Sequence, residues 1–207
     1  MSIQDAIEHL IAKIETMPYF GVVYGLCEQL DNGQGRIVPA WFAPDSLKPN
    51  EVKINNKGTV YFRKRTDITI TENTDQNYVS CDTLYDIVVP LRMIAITKRK
   101  YFPVNNAYSS DRLASELIKA VTVQNSALRD QMNVKKASIR ARTYSTSIRT
   151  IKNDEFQGIE NAQFNMEDIA CGIDVDIVIE AYSDCFETAC EYVPNFCLQL
   201  ENYVALP

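Results

Sequence analysis

The clearest pattern in the chain is a strict alternation of apolar and polar positions over residues 169–182. A period of two over a dozen residues predicts one long β-strand with two different sides. The second side of this strand carries the carboxylates of Asp174, Asp176 and Glu180. The first side is apolar, which predicts that it is buried in a core, and consists of Ile169, Cys171, Ile173, Val175, Ile177, Ile179 and Ala181. The strand therefore separates a core from an acidic surface.

A second alternating stretch, from Val134 to about Thr150, brings cations to one side. That side includes Lys136, Arg140 and Arg142, because alternate residues of a strand point the same way. We expect the two stretches to pair, so that a basic stripe meets the acidic stripe. Opposed charges on neighbouring strands contribute about 0.2–1 kcal/mol per pair. These cations and the three carboxylates are therefore predicted to stabilise one sheet surface or a junction between subunits.

Apolar residues that recur every three or four positions predict two helices, Ser2–Met17 and Ser110–Thr122. Between them, a hairpin is predicted at Gly21–Ala43, where a glycine-containing turn separates two strands. Two short strands are expected at 59–63 and 67–71.

A longer strand is predicted at Leu84–Thr97. It has apolar residues on both sides, which is typical of a strand that is covered on both sides. Pro90 lies within it and has no N–H to donate, so a bulge or a sheet edge is expected there.

This order of elements predicts an α+β fold, in which two main helices pack on a largely antiparallel β-sheet. Residues 1–183 are expected to form one domain, with long loops at 44–57, 72–83 and 152–168. Residues 184–207 form an apolar C-terminal extension. We expect this extension to pack on its own domain or to dock on another subunit, through the aromatic residues Phe186, Tyr192, Phe196 and Tyr203.

Composition narrows the classes of function. The 207 residues carry a net charge of −6, which disfavours sequence-independent binding of nucleic acid, since that activity normally needs an excess of cations. The six cysteines form no C-x-x-C pair, and no apolar run is long enough to span a membrane. A soluble protein made in a reducing cytoplasm is the expectation.

No catalytic signature accompanies the single histidine, His9. We therefore predict no enzyme activity, no cofactor and no metal. One alternative remains a divalent-metal-dependent hydrolase, because the carboxylates of Asp174, Asp176 and Glu180 share a strand face and could bind Mg²⁺ or Ca²⁺. A second alternative is a small cytoplasmic adaptor module.

The Ser2–Met17 helix, the Gly21–Ala43 hairpin, the Ser110–Thr122 helix and the ending strand Ile169–Tyr182 together resemble the neck and tail-terminator (head–tail connector) proteins of tailed bacteriophages. The resemblance covers residues 1–183 and implies a virion structural protein, assembled in the host cytoplasm. It implies a homo-oligomeric ring that joins the portal to the tail, with virion neck, portal or tail proteins as partners. DNA would pass through the lumen without sequence-specific binding, and an acidic inner wall would keep it from sticking.

Overall fold

The computed structural model of the chain describes residues 3–31, 33, 35–42, 48–73, 84–102, 109–122, 129, 134–157 and 167–182. The helices with at least eight residues in these ranges are α1 (Ile3–Glu15), α2 (Ser109–Val121) and α3 (Ile148–Glu155). The strands are β1 (Val22–Asp31), β2 (Ile37–Phe42), β3 (Pro49–Glu51), β4 (Gly58–Lys64), β5 (Thr69–Glu72), β6 (Leu84–Lys98), β7 (Lys136–Ser145) and β8 (Asp168–Tyr182).

All eight strands belong to one sheet, in which seven follow the order β3-β2-β1-β4-β6-β8-β7. The eighth, β5, pairs with the first part of β6, on the same edge to which β4 is paired in the second part. Neighbouring strands are antiparallel except β1 and β4, which run parallel. The predicted α+β class with a largely antiparallel sheet is confirmed.

One side of the sheet, here called the helix face, is covered by α1 and α2. Leu10 of α1 and Leu117 of α2 are fully buried there, against apolar residues of the central strands. Every residue on the predicted apolar side of β8, from Ile169 to Ala181, is at most 1% exposed. The alternation along this strand therefore correctly identified its buried side.

The opposite side, here called the charged face, is covered by helix only in part. Helix α3 and the residue after it bury a second, smaller apolar cluster through Ile151 and Phe156. Ile94 and Ile96 of β6 lie in this cluster, whereas Met93 and Ala95 lie in the core on the helix face. The prediction that β6 is covered on both sides is thus confirmed for its second half.

Pro90 lies at a local edge of the sheet. Its register with Asp176 of β8 continues without a bulge. On the other side of β6, Pro90 falls between the residues that pair with β4 and those that pair with β5. There its carbonyl accepts a hydrogen bond of 2.9 Å from the backbone N–H of Arg65. Of the two predicted explanations, a bulge and an edge, the edge is correct.

Two predicted boundaries were wrong. The strand expected at 134–150 ends at Ser145, and α3 occupies 148–155, partly where the loop 152–168 was predicted. The Ser147 side chain accepts a hydrogen bond of 3.3 Å from the N–H of Thr150 and so caps the helix. Because α3 has only eight residues, its apolar periodicity is too short to stand out from a strand pattern.

The other loop predictions have mixed outcomes. The predicted loop 44–57 contains the three-residue strand β3 at its centre. Most of the predicted loop 72–83 lies outside the described residues, as does the extension 184–207 with Phe186, Tyr192, Phe196 and Tyr203. Within the described part of the chain, no helix combines the length and the apolar character that crossing a membrane requires.

Candidate functional site on the charged face

The charged face brings the two predicted stripes together. In the antiparallel register of β7 and β8, Lys136 lies opposite Glu180, Arg140 opposite Asp176, and Arg142 opposite Asp174. The Lys136 ammonium is 2.5 Å from a Glu180 carboxylate oxygen. This pairing of a basic strand with an acidic one confirms the predicted cross-strand arrangement.

Asp174 is the point where the charges converge. Its side chain is only 9% exposed, and three guanidinium groups approach it. Arg92 Nε donates to Oδ1 over 2.9 Å, and Arg65 Nη1 donates to Oδ2 over 3.2 Å. Arg142 lies 3.7 Å from Oδ2 and is itself 67% exposed. A carboxylate this enclosed is stable because cations from three other strands or loops surround it.

Arg65 reaches Asp174 from the break between β4 and β5. Its guanidinium crosses β6 beside Pro90 and also donates, through Nη2, to Asp176 of β8. One arginine therefore binds two carboxylates that are two residues apart on one strand. The Arg65 Nε atom is buried and has no hydrogen-bond partner among the described residues.

The guanidinium group of Arg92 stacks on the aromatic ring of Tyr144. Its guanidinium carbon lies 3.3 Å from the centre of the Tyr144 ring, a stacking geometry that favours a cation over an aromatic face. Tyr144 occupies the position where the register of β7 against β8 shifts, and its hydroxyl donates to Asp154 of α3. This hydrogen bond raises the pKa of the Tyr144 hydroxyl.

Gly172 makes the position of the Tyr144 ring possible. A Cβ atom on Gly172 would lie 2.8 Å from Cδ1 of Tyr144 and 3.3 Å from Cδ1 of Ile94. The first distance is shorter than side chains normally tolerate. The absence of a side chain at this position of β8 therefore leaves room for the Tyr144 ring beside the strand, where it contacts Arg92.

A second carboxylate, Glu155 at the end of α3, extends the network under the helix. It is 0% exposed, and Arg63 Nε donates to it over 2.8 Å. The Tyr61 hydroxyl donates to its other oxygen over 3.3 Å. Burial raises the pKa of Glu155, and Arg63 and Tyr61 oppose that shift. Arg63 lies directly opposite Arg92 across β4 and β6, and each arginine has its own carboxylate.

The exposed charges of this face lie along β7. Arg140 and Arg142 are exposed, and no ion pair joins Arg140 to any described residue. Beyond Arg140 the face forms an open depression of about 280 Å³, lined by residues of β6, β7 and β8: Asp86, Val88, Lys136, Ser138, Arg140, Val178 and Glu180. Its two carboxylates, Asp86 and Glu180, lie opposite each other on β6 and β8, and its two cations, Lys136 and Arg140, lie on β7.

The carboxylates of Asp174 and Asp176 do not suit a divalent cation. Both oxygens of Asp174 already face arginines, and Asp176 accepts from Arg65. A cation that approached them would meet the positive charges of Arg65, Arg92 and Arg142. Within the described part of the chain, no three histidine, cysteine, aspartate or glutamate side chains come together in a way that could hold a metal ion.

Four contributors to this network were not predicted: Arg63, Arg65, Arg92 and Glu155. Each reaches the network through contacts between distant parts of the chain. One signal was available in the sequence, since Arg92 is the one charged residue within the apolar stretch 87–97, and a charge in such a stretch needs a partner. The sequence matches no protein-family model and no curated protein.

Proposed function

We propose that this chain is a non-enzymatic structural protein of the virion of a tailed bacteriophage, and that copies of it form a ring at the head–tail neck or the tail end. The observation that carries the proposal is the state of the charged face. The carboxylates of Asp174 and Asp176 are neutralised by Arg65 and Arg92 of the same chain, while the exposed cations Lys136, Arg140 and Arg142 lie on the edge strand β7. A surface whose carboxylates are already paired, and whose exposed cations lie on an edge strand, favours contacts between copies of the chain.

The arrangement of Asp174 and Asp176 favours this function over a metal-dependent hydrolase. A hydrolase of that class needs carboxylate oxygens that are free to bind the metal. Here the arginines would have to be displaced first, which would leave partly buried cations without partners. The ion pairs are thus better explained as a stabilising layer on a sheet face that α3 leaves uncovered.

The open edge of the sheet supports an oligomer. Among the described residues, β7 is hydrogen-bonded only to β8, and a ten-residue strand with one free side is a natural place for another chain to pair. In the proposed ring, the neighbours would be further copies of this chain, with portal or tail proteins above and below. The net charge of −6 suits a lumen through which DNA passes without binding.

The oligomeric state tests the proposal. The purified chain is examined by native mass spectrometry and by negative-stain imaging over a range of concentrations. A closed ring of one copy number, with a central channel, is the expected result. A chain that stays monomeric at high concentration, and that does not associate with virion proteins, would refute the proposal.

A further inference from the structure

The outer edge of β7, which pairs with no strand in the described part of the chain, carries an excess of positive charge. Lys136 pairs with Glu180 but is still 66% exposed, Arg142 is 67% exposed, and Arg140 is exposed and forms no ion pair with a described residue. Four arginines (Arg65, Arg92, Arg140 and Arg142) approach or face only two carboxylates, those of Asp174 and Asp176. The two arginines that are not needed to bury those carboxylates are the ones on β7. An acidic partner would therefore complement this edge.

The chain contains such a partner after the end of β8. Residues 183–207 carry four carboxylates (Asp184, Glu187, Glu191 and Glu201) and no lysine, arginine or histidine. They begin directly after Tyr182, at the end of the sheet where β7 starts, because Lys136 lies opposite Glu180. Twenty-five residues span up to about 80 Å when extended, which is enough to reach an adjacent molecule.

The spacing of charges in this segment also fits the strand. Glu187 and Glu191 are four residues apart, as are Lys136 and Arg140. In an extended segment both carboxylates would point to one side, and Phe186 and Tyr192 would point to the other. Alongside β7, that other side is the helix face, where α2 packs on β7.

We propose that residues 183–207 of one copy bind along the β7 edge of a neighbouring copy as an added strand, with Glu187 and Glu191 opposite Lys136 and Arg140. Backbone hydrogen bonds would supply affinity, and the charges would set the register. This inference rests on the proposed ring and names the contact that joins its subunits.

Two charge-reversal variants of the full chain test this contact. The edge variant is Lys136→Glu with Arg140→Glu, and the tail variant is Glu187→Lys with Glu191→Lys. The matched control is Lys53→Glu with Lys57→Glu, which reverses two exposed cations away from β7. Circular dichroism and thermal unfolding verify that each variant is folded, and sedimentation velocity measures self-association.

We expect the edge variant and the tail variant each to associate about tenfold more weakly than the wild type, since two attractive pairs become repulsive. The control should associate as the wild type does. A chain that carries all four reversals should regain association. An equimolar mixture of the edge and tail variants should also regain it, because each tail then meets an edge of opposite charge.

The outcomes separate this contact from the ring itself. A wild-type ring whose edge and tail variants associate normally would overturn the contact and leave the ring intact. Failure of the four-reversal chain to associate would likewise overturn it. Recovery in the four-reversal chain but not in the mixture would mean that the segment binds its own subunit, against the proposal. A monomeric wild type would overturn both.

Discussion

Replacing Asp174 with asparagine removes one negative charge from the place where three arginines converge. Asparagine has nearly the same shape and keeps one acceptor oxygen, but its NH₂ group would face an arginine and find no acceptor there. The Asp174 side chain is 9% exposed, while those of Arg92 and Arg65 are 12% and 20% exposed. The substitution therefore leaves two poorly hydrated guanidinium groups with fewer partners.

The size of the effect follows from this burial. Removing one member of a buried ion pair costs about 3–5 kcal/mol, whereas an exposed pair contributes about 0–1 kcal/mol. Arg142, which is 67% exposed, adds little, and Arg65 keeps its bond to Asp176. We expect Asp174→Asn to lower the free energy of unfolding by about 2–4 kcal/mol. For a chain of this size, Tm should fall by about 5–12 °C.

Urea unfolding, followed by circular dichroism and by the fluorescence of the single tryptophan, Trp41, measures this loss. All samples need the same protein concentration, because association adds to apparent stability. Asp67→Asn is the matched control. Its carboxylate pairs with Lys64 over 3.4 Å but is 88% exposed, so the same chemical change there should cost less than about 0.5 kcal/mol.

A loss at Asp174 no larger than the loss at Asp67 would refute the reasoning that the converging arginines stabilise the sheet. A hydrolytic activity that disappears in the Asp174→Asn variant, with stability unchanged, would instead favour the metal-dependent hydrolase. The experiment thus distinguishes a structural role of this carboxylate from a catalytic one.

Three further predictions concern the network around this carboxylate. Gly172→Ala should lower the free energy of unfolding by about 1–3 kcal/mol, because its Cβ would displace the Tyr144 ring; Gly25→Ala, whose Cβ would meet only a methyl group at 3.8 Å, is the control, and equal losses would contradict the prediction. Tyr144→Phe should cost about 1 kcal/mol in urea unfolding, and no loss would mean that the hydroxyl adds nothing. Because the pKa of Glu155 is raised, the folded state binds the proton of this carboxyl group more tightly than the unfolded chain does. The free energy of unfolding of the wild type, relative to that of Glu155→Gln, should therefore increase as the pH falls from neutral toward 4.5. A difference that stays constant across this pH range would contradict the prediction.

The sequence correctly predicted those parts of the fold in which apolar residues recur every two positions or every three to four positions. Alternation along 169–182 identified the buried side of β8, because neighbouring residues of a strand point to opposite sides. The same period in the preceding stretch placed Lys136, Arg140 and Arg142 on one side of their strand, and the structure then supplies the register that sets Arg142 opposite Asp174. The helices α1 and α2 were likewise visible in a period of three to four residues, since each buries one side against the sheet.

The network around Asp174 was only half predictable. Arg65 lies outside any strand, in the break between β4 and β5, and it is 109 residues from the carboxylate that it binds. Arg92 meets Asp174 through the register of β6 against β8, which periodicity within either strand does not specify. Glu155 depends on α3, a helix too short to be recognised from its pattern. These contacts are set by tertiary structure.

The geometry also divides the role that the charged stripe was predicted to fill. The sequence predicted that these charges stabilise either one sheet surface or a junction between subunits. In the folded chain, the carboxylate of Asp174 is already enclosed by arginines, so a neighbouring subunit could reach it only by breaking bonds that stabilise the sheet. Arg140 and Arg142 remain exposed, and contact with a neighbour costs little desolvation at such positions. The acidic strand therefore stabilises the chain's own sheet, and the exposed cations of β7 are the charges that the proposed contact between copies would use.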